Sequence, residues 1–133
     1  MIAFHGGVPG LHPGDLITPQ PADHGTHLLD GCPVCAARAA GDPLPGDPND
    51  ATQIYVTGDR DYAKIFANGY PRGALYRVQT LGETTPTLDD PEGTSWSCSG
   101  ARVISVLDPL VRLTPADLRR IMRRFGALPR PVA

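Results

Sequence analysis

Between residues 8 and 53 the chain is so dense in Pro, Gly and Asp that it leaves almost no room for regular structure. The run Gly41-Asp-Pro-Leu-Pro-Gly-Asp-Pro-Asn-Asp50 is a loop by every breaker rule. One candidate helix, near Cys35–Ala40, is the only element this stretch suggests. A packed core must therefore be built from a short opening strand and from the residues beyond 53. With 15 Gly and 15 Pro in 133 residues, that core is assembled from short elements joined by many turns. A structureless run of this length in a small domain is generally functional or tied down by something.

The ordered remainder reads as follows. Residues 1–5 form a first strand stopped by Gly6-Gly7 and Pro9-Gly10. Gln53–Thr57 is a β-branched and aromatic strand. Thr57 or Asp59 caps a helix running to about Ala67, with Tyr62, Ile65 and Phe66 inward and Asn68-Gly69 as the stop. Ala74–Val78 is a second clear strand, Thr84–Ser99 is polar and loop-like, and Ala101–Leu107 is a third strand with Val103 and Ile104 flanking its buried centre. In the last helix Thr114 is the cap, Pro115 takes the first turn, and Leu118, Ile121, Met122 and Phe125 recur at helical spacing. Gly126 ends it. Its other face carries Arg119, Arg120, Arg123 and Arg124, a solvated face or a basic patch. Together these elements describe one α+β domain over residues 1–133, with few helices, a split and strongly bent β core, a C-terminal amphipathic helix, and a Pro/Gly-rich Cys/His-containing loop insertion at about 18–52.

A net charge of -2 argues against a surface that coats nucleic acid. No apolar run approaches the roughly 20 residues of a membrane helix, and the N-terminus lacks the basic and apolar regions of a signal peptide. The expectation is a cytoplasmic protein without a membrane partner. Three Cys is an odd count, and Cys32-x-x-Cys35 in a cytosolic chain points to metal or redox chemistry before a structural disulfide.

The residues that name a chemistry are Phe4-His5-Gly6-Gly7, Ile54-Tyr55-Val56-Thr57 and Asp89-Asp90-Pro91, which order a His, a Tyr and a carboxylate along the chain. That set suits cleavage of the nicotinamide–ribose bond of NAD. Its transition state is oxocarbenium-like and its leaving group is neutral, so the enzyme must bind and strain the dinucleotide and set negative charge beside the developing cation. A His suits a ribose hydroxyl, a Tyr ring suits the flat nicotinamide, and a carboxylate suits the second ribose and the cation.

These strings resemble those of ADP-ribosyltransferases of the diphtheria-toxin-like, H-Y-E class. The closest pattern is that of the small rifamycin ADP-ribosyltransferases, whose order of motifs is matched by Gly14-Asp15-Leu16-Ile17, Ile54-Tyr55, Gly73-Ala74-Leu75-Tyr76-Arg77-Val78 and Asp89-Asp90-Pro91-Glu92-Gly93-Thr94. The resemblance spans about residues 4 to 112. It departs in a longer interval from His5 to Tyr55 and in Trp96, which stands loosely where that family has a Tyr. It implies the family's fold and an NAD-dependent mono-ADP-ribosyltransferase that releases nicotinamide. By the same resemblance His5 holds the adenosine-side ribose, the Gly6 backbone pins the nicotinamide amide, and Tyr55 stacks on the ring. Thr57 lies in the same NAD-binding segment, and Tyr62 covers the ring's other face. Asp90 is the third catalytic member, with Asp89 and Glu92 as alternatives. The acceptor is left open among a protein side chain, a nucleic acid and a small molecule such as a rifamycin.

A second constellation, His24, His27, Cys32 and Cys35, offers two imidazoles and two thiols in the stretch that most needs a staple, the ligand set of a structural zinc. His12 or Cys98 could replace one of the His, and a redox pair or two plain thiols are the other readings. The functional rivals are an NAD glycohydrolase, an RNA 2'-phosphotransferase, for which Lys64, Arg72 and Arg77 are sparse, and a non-catalytic zinc-stabilised module reading partners through the Arg-rich helix.

Overall fold

The computed structural model describes residues 1–19, 36–37, 40, 52–68, 73–88 and 93–124. These form a sheet-rich α+β arrangement of seven antiparallel strands and two helices. The strands are β1 (Ile2–Gly7), β2 (Leu16–Ile17), β3 (Ile54–Thr57), β4 (Ala74–Leu81), β5 (Thr85–Pro86), β6 (Ser95–Cys98) and β7 (Gly100–Asp108). Their spatial order is β2-β7-β4-β1-β3-β6-β5. The helices are α1 (Arg60–Asn68) and α2 (Pro115–Arg124).

The sheet is held unevenly. β1 pairs with β4 along its whole length, from Ile2 opposite Gln79 to Gly7 opposite Ala74. Its pairing with β3 on the other side is a single register pair, Phe4 opposite Thr57. The sheet is thus two ladders, β2-β7-β4-β1 and β3-β6-β5, joined at a narrow seam. The β4–β7 register skips Leu107 and again Ile104, and each such bulge bends and twists a sheet locally.

Strand alternation gives the sheet two buried faces. On one, Ala3, Ile54, Val56, Tyr76, Val78, Cys98 and Val103 form the main core. On the other, α1 lies on β1 and β4, with Ala63 and Ala67 against Leu75 and Val111. Two bare glycines allow this approach. A Cβ on Gly6 would stand 1.9 Å from the Ala63 carbonyl oxygen, and one on Gly73 would stand 1.9 Å from that of Ala67. The helix begins where expected, because Asp59 Oδ1 accepts the Tyr62 amide at 3.0 Å. Thr57 Oγ1 accepts the Asp59 amide one step earlier, at 3.1 Å.

Several expectations change. Thr84–Ser99 is not simply loop, since it supplies β5 and β6, and β6 pairs with all four residues of β3. Ile104 is exposed because Ala101 and Val103 take the core side of β7 and alternation puts Ile104 on the other. In α1 the sheet-facing positions belong to Ala63 and Ala67; Tyr62 is buried as expected, while Phe66 is 41% exposed. Large side chains there would hold the helix off the strands. In α2 Thr114 and Asp117 cap each other, with both reciprocal bonds at 3.1 Å. Ile121 is buried, but Met122 is exposed. The basic face is partly engaged although exposed: Arg124 reaches Asp59 at 2.5 Å and Asp61 at 3.0 Å, tying α2 to the start of α1. Phe125, Gly126 and most of the proposed 35–40 helix lie outside the described residues; Ala36 and Ala37, which are described, are helical.

Candidate functional site

The expected His and Tyr meet at the seam between the two ladders. His5 is on β1 and Tyr55 on β3, where the strands diverge beyond their one register pair. The His5 imidazole spans the gap and donates from Nδ1 to the Tyr55 carbonyl oxygen at 2.7 Å. That bond places the proton of the neutral ring on Nδ1 and leaves Nε2 as an acceptor. Nε2 has no hydrogen-bond partner among the described residues. Burial lowers the His5 pKa below its ordinary 6.5, outweighing the Tyr55 bond, which acts in the opposite direction. At neutral pH the site therefore holds an uncharged, oriented imidazole.

A bare Gly7 is what admits the ring: a Cβ there would lie 2.7 Å from Nε2. Gly6, expected as a backbone contact for an amide, also has the packing role described above. Two adjacent glycines thus serve two different neighbours.

The structure joins the imidazole to the Tyr55 backbone and not to its ring. By alternation His5 lies on the face of Ala3 and Val56, whereas Tyr55 lies with Thr57 on the opposite face. Tyr55 is half-buried and stands opposite Ser97 of β6, where Ser97 and Ser95 are both buried. The buried Thr57 hydroxyl is occupied, donating to the Thr94 carbonyl at 3.1 Å while accepting from Asp59. Tyr62 packs edge-on against Phe66, ring centres 5.1 Å apart.

Asp89, Asp90 and Glu92 lie outside the described residues, but both flanks of their segment are anchored beside the seam. The Thr94 carbonyl accepts from the Gly58 amide at 2.8 Å as well as from Thr57, and the Thr87 amide donates to the Ser95 carbonyl at 3.1 Å. The Ser95 and Thr87 hydroxyls are buried with no hydrogen-bond partner among the described residues. A buried polar group left unpaired costs about 1–3 kcal/mol.

The zinc candidates His24, His27, Cys32 and Cys35 also lie outside the described residues, within which no group of three or more His, Cys, Asp or Glu is arranged to hold a metal. Of the two substitutes, His12 is exposed beside Asp15 at 3.7 Å. Cys98 is fully buried, donates to the Gly100 carbonyl, and has its pKa raised by burial, so it packs as a core thiol. Among the described residues no helix is long and apolar enough to cross a membrane.

Sequence reasoning missed one polar residue that shapes the site. Tyr76 is fully buried opposite His5, and its hydroxyl donates to the Val8 carbonyl at 2.6 Å and accepts from the Leu11 amide at 3.2 Å. It clasps the loop that follows His5-Gly6-Gly7. A buried Tyr normally finds a partner for its hydroxyl, and that was the available signal. No family model matches the chain, and comparison with curated proteins also finds no match.

Proposed function

We propose that this chain is an NAD-dependent mono-ADP-ribosyltransferase with the H-Y-D arrangement and the associated split-sheet fold. The observation that carries the reading is the neutral His5 imidazole, fixed through Nδ1 on the Tyr55 carbonyl with Nε2 left open at a seam in the sheet. An oriented acceptor of this kind suits a ribose hydroxyl. In the proposed reaction His5 Nε2 accepts that hydroxyl of the adenosine-side ribose. In this reading the dinucleotide runs with its adenosine end at His5 and its nicotinamide end on the Tyr55 side. Tyr55 stacks on the nicotinamide, and the Asp90 carboxylate, or its neighbour Asp89 or Glu92, faces the second ribose. The nicotinamide–ribose bond breaks, neutral nicotinamide leaves with the bonding pair, and the carboxylate offsets the cation. An acceptor nucleophile then closes the new ribosyl bond and gives up its proton to that carboxylate.

The test is nicotinamide release from NAD by the purified chain. His5→Ala is expected to abolish release while leaving the fold intact, and Asp90→Ala to lower kcat more than it raises KM, because its work is in the transition state. Equal yields of nicotinamide and free ADP-ribose would identify water as the acceptor. Release that is indifferent to His5→Ala, or neither release nor calorimetric binding of NAD, overturns the reading.

A further inference from the structure

On the sheet face away from the His5 imidazole there is an open groove of about 470 Å³, lined by Ile2, Phe4, Leu107, Gly58, Arg60 and Arg77. Its floor is apolar. Phe4 and Arg77 are cross-strand partners on β1 and β4, and Leu107 bulges out of β7 beside them. Ile2 at the open end is 54% exposed. The wall is the chain entering α1, from Gly58 to Arg60.

The charge of this groove is unbalanced. Neither Arg60 nor Arg77 has an ion-pair or hydrogen-bond partner among the described residues, and both are exposed. The carboxylates next to them in sequence are already engaged. Asp59 and Asp61 both hold Arg124, and Asp61 also holds Lys64 at 3.8 Å. Arg102 donates to the Gly14 carbonyl and Arg120 pairs with Asp117, while Arg112 and Arg119, which do not line the groove, have no side-chain partner among the described residues. The groove thus carries two guanidinium groups that have no partner among the described residues, beside an apolar floor.

We propose that this groove binds a small organic anion with a flat apolar body, the anionic group being a carboxylate or phosphate monoester. Guanidinium forks match such groups in two-point geometry, and the floor of Phe4, Ile2 and Leu107 covers the apolar part. The volume is that of a small-molecule pocket. The groove opens on the face of β1 opposite the His5 imidazole, the face to which alternation also assigns Tyr55 and Thr57, and its test reads ligand binding directly without NAD turnover.

The experiment is an amide NMR titration of the whole chain with phenyl phosphate, run beside inorganic phosphate and benzyl alcohol. Phenyl phosphate is expected to shift Phe4, Gly58, Arg60, Arg77 and Leu107 in a saturable way. The two fragments should bind at least about tenfold more weakly, since each keeps only half of the recognition. Arg60→Gln and Arg77→Gln should each raise the Kd by about tenfold, the loss of one charge-assisted contact, with Arg123→Gln unchanged. The same spectra report whether each variant is folded, and Arg77→Lys, which keeps charge but loses the fork, should fall between. Absence of saturable shifts at these residues, equal binding of benzyl alcohol or inorganic phosphate, or a Kd unmoved in both glutamine variants overturns the proposal.

Discussion

Two neighbouring glycines should respond to the same substitution in different ways. In Gly6→Ala the new methyl would stand 1.9 Å from the Ala63 carbonyl oxygen and 2.8 Å from the Ala67 amide nitrogen. Comfortable contact begins near about 3.5 Å, so α1 would have to retreat by about 1.5 Å. Both atoms are helix backbone, and no rotamer change relieves the clash. Retreat would loosen the cluster of Ala63, Ala67, Leu75 and Val111, all nearly inaccessible to solvent. Overpacking typically costs about 1–3 kcal/mol, and a clash between backbones belongs at the upper end, about 3 kcal/mol here. For a domain of this size that lowers Tm by about 10 °C.

In Gly7→Ala the methyl meets a side chain instead, the His5 imidazole, with Nε2 at 2.7 Å. The ring can swing away. The stability cost is then close to that of the His5–Tyr55 hydrogen bond, about 0.5–1.5 kcal/mol. NAD turnover should fall sharply, because Nε2 no longer points where it did. Urea denaturation of the two variants beside wild type, followed by nicotinamide release from each folded protein, measures both effects. A Gly6→Ala protein within about 0.5 kcal/mol of wild type, or a Gly7→Ala protein less stable than Gly6→Ala, would refute the packing argument.

Tyr76→Phe removes a hydroxyl that serves Val8 and Leu11, so stability should fall by about 1–2 kcal/mol and hydrogen exchange of the Leu11 amide should accelerate. Unchanged Leu11 exchange would mean the clasp does not order that loop. His5 carries a pH signature. Its folded pKa lies below the ordinary 6.5, so as pH falls below 6.5 the unfolded chain takes up a proton before the folded one does. The associated stability is present above about pH 6.5 and is lost as pH falls toward the folded pKa. His5→Gln should flatten that part of the denaturation profile between pH 7 and 5, and an unaltered slope would assign it to other groups.

How much of this molecule was legible in its sequence depends on the range of the cause. The β3–α1 unit, β4 and the Thr114 cap were readable because alternation, helical spacing and capping act over a few residues, and so was the first strand except for its end, since Gly6 and Gly7 continue its pairing with β4 instead of stopping it. β6 was hidden because Ser-Trp-Ser-Cys has little strand signature of its own. It becomes a strand by pairing residue for residue with β3, some forty positions away in the chain. Ile104 turns outward because the core takes Ala101 and Val103, and which face of an apolar strand is covered is settled only when the sheet packs.

The candidate site divides in the same way. His5, Tyr55 and the glycines stood out by residue type, but their division of labour did not. The sequence by itself determined which chemistry-bearing residues were available and where the chain had to be loop. Tertiary structure alone decided that His5 bonds the Tyr55 backbone, that Gly6 admits a helix while Gly7 admits an imidazole, and that Arg124 is tied down while Arg60 and Arg77 have no partner among the described residues. These outcomes depend on distances between residues far apart in the chain, which become defined only when buried faces close against one another and set the register.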